Sequence, residues 1–197
     1  MSITISERKV NNMEKLRLGL VGCGLMMRAH ASVVNKVDGV EIVAVCDIIR
    51  ERAEDVAGAL NAPFITTDYT EMVDKVDAVL VALPHDLHFE CGMFFAYHKK
   101  HILMEKPLCN TEEECNWLIK RCEENGVVLM CGYPVRFWPG IAKLKELVDS
   151  GVYGKIIQMS VWTEQLTGVG MDKDAKPDWS MIAGRLGGGQ LFYHVCH

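Results

Sequence analysis

Long apolar runs are missing from this 197-residue sequence, and so are clusters of basic residues. The apolar runs, such as Ile42 to Cys46, are far shorter than the roughly 20 residues that a membrane helix needs, and the opening residues MSITISERKV contain no apolar signal segment. Lys and Arg number 21 against 26 Asp and Glu, a net charge of −5 that argues against a nucleic-acid partner. We therefore expect a soluble, cytoplasmic protein that binds neither membranes nor nucleic acid.

Cysteine pairs with C-x-x-C spacing are also absent, although the chain has eight cysteines. Their scattered positions favour reduced thiols that fill core space over disulfides. The composition is otherwise that of a globular protein, 49% hydrophobic and 24% charged, which excludes a disordered chain. The length suits one full domain and part of another.

Short apolar runs alternate with helical patterns, as in the β-α-β units of a parallel sheet. Six runs are candidate strands of a doubly wound α/β sheet, and most are rich in Val, Ile and Leu, as buried parallel strands are: Leu16–Val21, Glu41–Cys46, Pro63–Thr66, Ala78–Ala82, His101–Met104 and Val127–Cys131. The clearest helix is predicted for Thr111 to Asn125, where Thr111 and Glu114 form a capping box and Gly126 ends the helix. Its predicted apolar face comprises Cys115, Leu118, Ile119 and Cys122.

The pattern changes after Gly132, where prolines and a glycine interrupt it. A domain boundary near Tyr133 to Pro139 divides the chain into a polar extension (1–13), a doubly wound domain (14–134) and the start of a second α/β domain (135–197). In the last part, a helix is predicted for Ile141 to Asp149 and a strand for Lys155 to Thr163. We expect this second domain to be incomplete, because one strand with a few helical turns cannot bury its own apolar face.

A glycine-bearing turn follows the first predicted strand. Gly22 and Gly24 stand between that strand and a helix, which is the context of a dinucleotide fingerprint. Gly22 allows a tight turn, Gly24 allows the backbone to approach a diphosphate, and the helix start at Leu25 and Met26 offers free amides to that anion. Met27 occupies the third glycine position, so we expect a helix further from the strand, or weaker cofactor binding. The alternative is a strand-to-helix turn without a ligand.

Asp47 ends the second predicted strand, near the spacing at which a carboxylate binds the ribose 2′-hydroxyl. This position favours NAD over NADP, although Arg50 and Arg52 could partly offset the repulsion of a 2′-phosphate. The alternative is that Asp47 only caps the following helix.

The segment HILMEKPL places Glu105, Lys106 and Pro107 at the carboxyl end of the fifth predicted strand, where ligands of open α/β sheets bind. Pro107 restrains the residue before it and could form a cis bond, and either effect would fix the direction of the Lys106 side chain. A partly desolvated lysine near a cofactor cation would have a lowered pKa, suited to proton exchange with a substrate hydroxyl. The alternative is a lysine in a surface loop.

The chain resembles the glucose-fructose oxidoreductase and inositol dehydrogenase (Gfo/Idh/MocA) family from about Lys15 onward. The resemblance rests on segments in the family's order: GCGLMMRAH, AVCDIIRERA, DAVLVALPHDLH, MEKPL, GYPVRFWP and the final GGG-x-L run. It implies an NAD(P)-binding Rossmann domain at 14–134, followed by a larger domain with substrate and oligomer contacts. It also implies NAD as cofactor, with NADP possible, and a homo-oligomer at full length.

The resemblance assigns further site residues. In the family, an Asp and a His four residues apart join the EKP lysine around the substrate. His197 matches that histidine and Lys106 that lysine, whereas Tyr193 replaces the Asp and cannot supply its negative charge. Tyr193 can still hydrogen-bond a sugar hydroxyl or donate a proton, and His194 would position substrate beside it. Other implied contacts, to cofactor or substrate, involve Pro84, His88, Glu105 and Arg136.

Some of these residues have other interpretations. His85 and His88 could cap a helix or bond a backbone carbonyl, and Arg136 could pin the domain hinge. His194 and His197, with Cys196 nearby, are metal-like, but no further ligand set of standard spacing follows, so we expect no metal.

The expected function is that of an NAD(P)-dependent oxidoreductase acting on a secondary hydroxyl of a sugar, cyclitol or related polyol. One alternative is a regulatory dinucleotide-binding protein, which Met27 and Tyr193 favour and Lys106 and His197 oppose. Another is an NAD-using glycosidase. We expect the 197-residue chain alone to have little or no turnover, because much of the substrate domain is missing.

Overall fold

A computed structural model describes residues 14–160, 162, 179 and 183–187. Over these residues the strands form one parallel sheet in the order β3-β2-β1-β4-β5-β6, which is the order of the Rossmann fold. The predicted doubly wound α/β fold is therefore confirmed. The strands are β1 (Leu16–Val21), β2 (Val40–Cys46), β3 (Phe64–Thr66), β4 (Ala78–Val81), β5 (His101–Glu105) and β6 (Leu129–Gly132).

Helices connect most of these strands. The described helices are α1 (Leu25–Val34), α2 (Arg50–Leu60), α3 (His88–Tyr97), α4 (Glu112–Asn125), α5 (Pro139–Asp149) and α6 (Ala183–Leu186). Short 3-10 turns occupy Tyr69–Met72, His85–Leu87 and Pro134–Phe137. Within the described part of the chain, no helix has the length and apolar content that crossing a bilayer requires.

Apolar side chains pack on both faces of the sheet. Leu20 and Leu80 lie in the core on one face, whereas their strand neighbours Val21 and Val79 lie in the core on the other. This division follows from the strand geometry, because successive side chains point to opposite faces. Burial on both faces explains why the strands read as nearly continuous apolar runs.

Met27, at the third glycine position, is fully buried in the core on the α2 side of the sheet. Ala53 and Ala57 of α2 belong to the same core cluster. The methionine side chain is thus accommodated in the core instead of projecting into solvent. Whether Met27 weakens cofactor binding stays a prediction.

Helix α4 begins as the sequence predicts. The Thr111 hydroxyl accepts a hydrogen bond from the Glu114 amide at 3.1 Å, and the Glu114 carboxylate accepts one from the Thr111 amide at 3.2 Å. Gly126 ends the helix with φ of 66°. The predicted apolar face is wrong at Ile119, which is exposed while Leu118 is buried. The two differ by one residue, about 100° around the helix axis, which turns Ile119 away from the core.

The chain after β6 departs from one prediction. The helix predicted from Ile141 is confirmed as α5, which begins two residues earlier and contains no buried residue. The strand predicted for Lys155 to Thr163 is not found, because 155–160 and 162 are exposed and belong to no strand. A strand needs a hydrogen-bonded neighbour, and the described sheet offers none to this segment. The predicted domain boundaries stay a prediction, and 1–13 lies outside the described residues.

Seven cysteines lie in the described part of the chain, and all seven are free. Cys115 and Cys131 are half-buried and the others are buried, in agreement with the predicted core-filling thiols. Burial raises the pKa of Cys23 and of Cys46 to about 12, so both thiols stay protonated at neutral pH. Cys196 lies outside the described residues.

Candidate active site

The glycine turn lies where the strand order reverses, between the neighbouring strands β1 and β4. Gly22 has a φ of +86°, and a Cβ atom there would lie 2.5 Å from the carbonyl oxygen of Ala82. Its amide donates a hydrogen bond of 2.8 Å to the carbonyl of Cys46, at the end of β2. Both the backbone conformation and the close approach of β4 therefore require glycine at this position.

The first turn of α1 follows directly. Gly24 is the residue before the helix, and a Cβ atom there would meet no atom within 4 Å. No side chain caps the helix start, and its first turn carries no acidic residue. The first turn of α1 therefore offers the amides of Leu25 and Met26 with no acidic side chain of its own beside them. This donor set and the open approach at Gly24 fit the diphosphate of a dinucleotide.

Asp47 comes immediately after β2, with its carboxylate facing the glycine turn. One carboxylate oxygen accepts a hydrogen bond of 2.6 Å from the Cys23 amide, and the other accepts one of 2.8 Å from the Ile49 amide. Ile49 is itself the residue before α2, so Asp47 bonds an amide at the start of that helix, as the capping alternative supposes, and its role toward the ribose stays a prediction. Each carboxylate oxygen keeps acceptor capacity for a hydroxyl group.

Arg50 could offset the negative charge of Asp47, but its guanidinium pairs with Glu54 on the next turn of α2, at 2.9 Å. The pairing reduces the charge that Arg50 can offer to a 2′-phosphate. This local arrangement is in line with the preference for NAD that Asp47 predicts.

Lys106 follows β5 at the same carboxyl edge of the sheet. It is only 8% exposed, so the surface-loop alternative is wrong. The peptide bond between Lys106 and Pro107 is cis, in agreement with the possibility raised by the sequence. The Lys106 amide donates a hydrogen bond of 3.0 Å to the carboxylate of Glu105.

His30 is a site residue that the sequence pattern did not single out. It lies on α1, and its Nε2 donates a hydrogen bond of 2.7 Å to the Glu105 Oε1. Burial acts to raise the pKa of Glu105, but the bonds from His30 and the Lys106 amide, with the nearby charges of both residues, hold it below its usual value. Glu105 is therefore ionised at neutral pH. Helical spacing offered a signal, because His30 follows the buried Met27 by three residues.

His88 connects two loops at this edge. Its side chain is fully buried, with Nδ1 2.8 Å from the Pro107 carbonyl oxygen and Nε2 3.0 Å from the Leu83 carbonyl oxygen. Burial lowers the pKa of His88, while the two carbonyl acceptors oppose that shift. The alternative that His88 bonds backbone carbonyls agrees with this geometry, and a direct cofactor contact stays a prediction. His85 is buried beside it, with ring centroids 5.7 Å apart.

Residues from late in the chain lie against the same edge. The Arg185 guanidinium pairs with Asp86 at 2.9 Å, and the Asn110 side-chain amide donates to the Arg185 carbonyl at 3.4 Å. The Trp179 ring contacts the His85 ring edge-on, at 4.9 Å between centroids. The part of the chain just before the GGG-x-L run thus reaches the loops that follow β4 and β5.

The remaining predicted site residues are Pro84, Arg136 and three residues near the end of the sequence. Pro84 immediately precedes the turn after β4. Arg136 is exposed on the turn Pro134–Phe137, with its guanidinium 5.5 Å from the Phe137 ring centre, and its substrate or hinge role stays a prediction. Tyr193, His194 and His197 lie outside the described residues, so their roles also stay predictions.

Comparison with known proteins identifies the family. The sequence model described as "Oxidoreductase family, NAD-binding Rossmann fold" (Gfo/Idh/MocA) matches residues 16–133, which is more than half of the chain. The chain belongs to the Gfo/Idh/MocA family. The match extends from β1 to the residue after β6, so it includes the glycine turn, Asp47 and Lys106 of this Gfo/Idh/MocA chain.

Similar proteins include enzymes with named activities. The Gfo/Idh/MocA chain is 30% identical over 181 residues to 2,7-anhydro-N-acetylneuraminate hydratase of Escherichia coli (strain K12), covering 91% of this chain and 47% of that protein. It is 30% identical over 146 residues to inositol 2-dehydrogenase of Rhizobium meliloti (strain 1021), and the match covers 74% of this chain and 44% of that protein. Among solved structures, the chain matches a crystal structure of the WlbA dehydrogenase from Bordetella pertussis in complex with NADH and UDP-GlcNAcA. The TM-score is 0.66, the sequence identity is 28%, and the match covers 71% of this chain and 43% of that protein. The chain spans less than half the length of each.

Metal chemistry has no candidate site in the part of this Gfo/Idh/MocA chain that the structure describes, because no three His, Cys, Asp or Glu side chains converge there. The metal-like group at His194, Cys196 and His197 lies outside that part.

Proposed function

We propose that this chain carries the cofactor-binding part of an NAD(P)-dependent oxidoreductase that acts on a secondary hydroxyl of a sugar, cyclitol or related polyol. The observation that carries the proposal is the placement of the buried Lys106 at the same sheet edge as the glycine turn and Asp47. The nicotinamide ring, when bound, supplies the site that accepts or donates the hydride. The similarity to an inositol 2-dehydrogenase supports the substrate class.

Cofactor binding is assigned to three elements. The turn at Gly22 and Gly24 and the first amides of α1 bind the diphosphate, because they combine N–H donors with the positive end of the helix dipole. Asp47 accepts hydrogen bonds from the ribose hydroxyls. Its negative charge disfavours a 2′-phosphate, so we propose NAD as the preferred cofactor.

Proton transfer is assigned to Lys106. Its Nζ holds the substrate hydroxyl in place and exchanges the hydroxyl proton, while burial of the side chain keeps bulk water away. His197 is the proposed partner in this exchange, and Tyr193 and His194 are proposed to orient the substrate. The contacts of Arg185 with Asp86 and of Trp179 with His85 support this assignment. They place residues that shortly precede Tyr193, His194 and His197 in the sequence against the loops beside Lys106.

A second candidate function is an NAD-using glycosidase or a related reaction in which the cofactor is restored at the end of each turnover. The observation that favours it is the identity with a protein named as a hydratase, since adding water changes no net oxidation state. A homo-oligomer at full length is a further proposal that rests on the family resemblance, and cytoplasmic location is one that rests on the short apolar runs and the N-terminal sequence.

Calorimetry of NAD and NADP binding to the chain tests the cofactor assignment. We expect tighter binding of NAD, and about a tenfold or greater loss of NAD affinity in Asp47→Ala, because hydrogen bonds to charged groups contribute about 1.5–3 kcal/mol. Asp38→Ala is the control, since Asp38 is exposed in the segment between α1 and β2, away from the glycine turn. Equal affinity for both cofactors, with no loss in Asp47→Ala, would remove the ribose assignment.

Product analysis separates the candidate reactions. The chain, and any longer form of the protein that contains it, is incubated with NAD and a panel of polyols and glycosides. Formation of NADH that disappears in Lys106→Met supports the dehydrogenase. Sugar cleavage or hydration without net NADH supports the second candidate, whereas NAD binding with neither product supports the regulatory alternative.

A further inference from the structure

The hydrogen bond between His30 and Glu105 joins two parts of the fold that are not adjacent in the sheet. His30 lies on α1, which follows β1, and Glu105 is the last residue of β5. Strand β4 lies between β1 and β5, so the bond passes over the carboxyl end of β4, at the point where the strand order reverses. The His30 side chain is 30% exposed and that of Glu105 is 10% exposed, so the contact is largely shielded from water.

The Glu105 carboxylate uses both oxygens at this junction. Oε1 accepts from His30 Nε2 at 2.7 Å, and Oε2 accepts from the Lys106 amide at 3.0 Å. One carboxylate thus connects the helix that begins at the diphosphate-binding turn with the backbone of the proposed proton-transfer lysine. A shift of α1 would be transmitted to Lys106 through two charge-assisted hydrogen bonds.

We propose that His30 and Glu105 are a pair of positioning residues, which hold Lys106 in register with the diphosphate-binding turn as long as Glu105 is ionised. This inference rests on the proposed function, because it concerns the distance between the bound cofactor and the proton-transfer group. The assignments of cofactor binding to the glycine turn and of proton transfer to Lys106 give His30 no role, and the positioning pair gives it one. Protonation of Glu105 weakens the hydrogen bond from His30 and so loosens α1 from β5. NAD affinity therefore falls as Glu105 becomes protonated.

The charged and titratable groups around Glu105 are identifiable. His30 faces it from α1, Lys106 follows it in the chain, and His88 approaches from α3. The thiol of Cys131, on β6, donates weakly to the Glu105 backbone carbonyl at 3.9 Å. Burial alone would raise the pKa of Glu105, and the bond from His30 is the largest influence that lowers it. Loss of that bond is therefore expected to move the protonation of Glu105 toward neutral pH.

The test combines an NMR titration of the Glu105 carboxyl carbon with calorimetry of NAD binding between about pH 4 and 8. His30→Phe removes the donor, His30→Gln keeps a donor without a ring, and His98→Phe is the control at an exposed histidine after α3. We expect His30→Phe to raise the midpoint of Glu105 by about one pH unit or more. Because the link between α1 and Glu105 is absent from this variant at every pH, its NAD affinity should lie below the wild-type value throughout the range and should no longer follow the protonation of Glu105. His30→Gln should restore most of both properties, and His98→Phe should match the wild type.

The outcomes distinguish the inference from the function on which it rests. An unchanged Glu105 midpoint in His30→Phe, with an unchanged pH dependence of NAD affinity, would overturn the positioning pair. Failure of the wild type to bind NAD at any pH would overturn the proposed function, while the titration would still report on the pair. If His30→Phe does not fold, Glu105→Gln supplies the test. Glutamine cannot ionise, so this variant should lose the pH dependence of NAD binding over that range, and retention of the wild-type dependence would contradict the inference.

Discussion

The carbonyl oxygen of Ala82 lies 2.5 Å from the position that a Cβ atom on Gly22 would occupy. This relationship arises because β1 and β4 are hydrogen-bonded neighbours, with Val21 paired to Val81 at their carboxyl ends. The chain after β1 must turn with a positive φ at Gly22 while the chain after β4 passes directly beside it. The glycine turn and the packing of the central strands therefore both require that residue 22 is a glycine.

Replacement of Gly22 by alanine should destabilise the fold and abolish NAD binding. The positive φ costs an L-residue about 1–2 kcal/mol, and the contact with the Ala82 carbonyl adds to this, so we expect the free energy of unfolding to fall by about 2 kcal/mol or more. Urea denaturation measures the change. Gly58→Ala is the matched control, since a Cβ at this α2 position meets nothing within 4 Å, and it should stabilise the protein by about 0.5–1 kcal/mol. A Gly22→Ala variant as stable as the wild type would contradict this account.

Removal of the Thr111 hydroxyl should weaken α4 without affecting the cofactor site. The hydroxyl accepts the Glu114 amide, so Thr111→Ala should lower the free energy of unfolding by about 1 kcal/mol. Thr111→Ser keeps the hydroxyl and should retain most of the stability, and Glu113→Ala tests an exposed neighbour outside the capping box. Thermal denaturation gives the stability and calorimetry the NAD affinity, which should stay at the wild-type value. Equal stability of Thr111→Ala and Thr111→Ser would show that the hydroxyl has no such role.

The ion pair of Arg17 and Asp77 should contribute stability that depends on pH. Asp77 accepts hydrogen bonds from the Arg17 side chain, including one of 3.1 Å from Nε, and these bonds hold the pKa of Asp77 below its usual value. Because the folded-state pKa is the lower one, the stabilisation is present above the unfolded-state pKa and is lost as the pH falls through the folded-state value. The Arg17 and Asp77 side chains are 46% and 37% exposed, so solvent screening keeps the contribution of this ion pair small.

The measurement for this pair is urea denaturation of Asp77→Asn and the wild type over a range of pH. The difference in free energy of unfolding should be largest near neutral pH and should vanish in acid, where the wild-type carboxyl is also protonated. Asp74→Asn, at an exposed aspartate nearby, should show no such difference. A difference between Asp77→Asn and the wild type that is constant with pH would mean that the ion pair does not contribute through its charge.

Local patterns predicted much of the fold, because they depend on neighbours in the chain. The strand runs Leu16–Val21 and His101–Met104 are apolar enough to be buried on both faces, and the Thr111 capping box needs only residues three apart. A local pattern predicted secondary structure less well where that structure needs a partner distant in the sequence. The segment from Lys155 has a strand-like sequence, but a strand forms only where another strand can hydrogen-bond to it.

The candidate site shows the same division. The sequence alone determined the residue types at the strand ends, namely the glycines of the turn, Asp47 and Lys106, because each chemical role demands a particular side chain at a particular spacing. Tertiary structure alone decided that Asp47 accepts from Cys23, that His88 connects two loops and that His30 reaches Glu105 over the end of β4. Those contacts join residues that are brought together only when the parallel strands align their carboxyl ends, and no periodicity along the chain encodes that proximity.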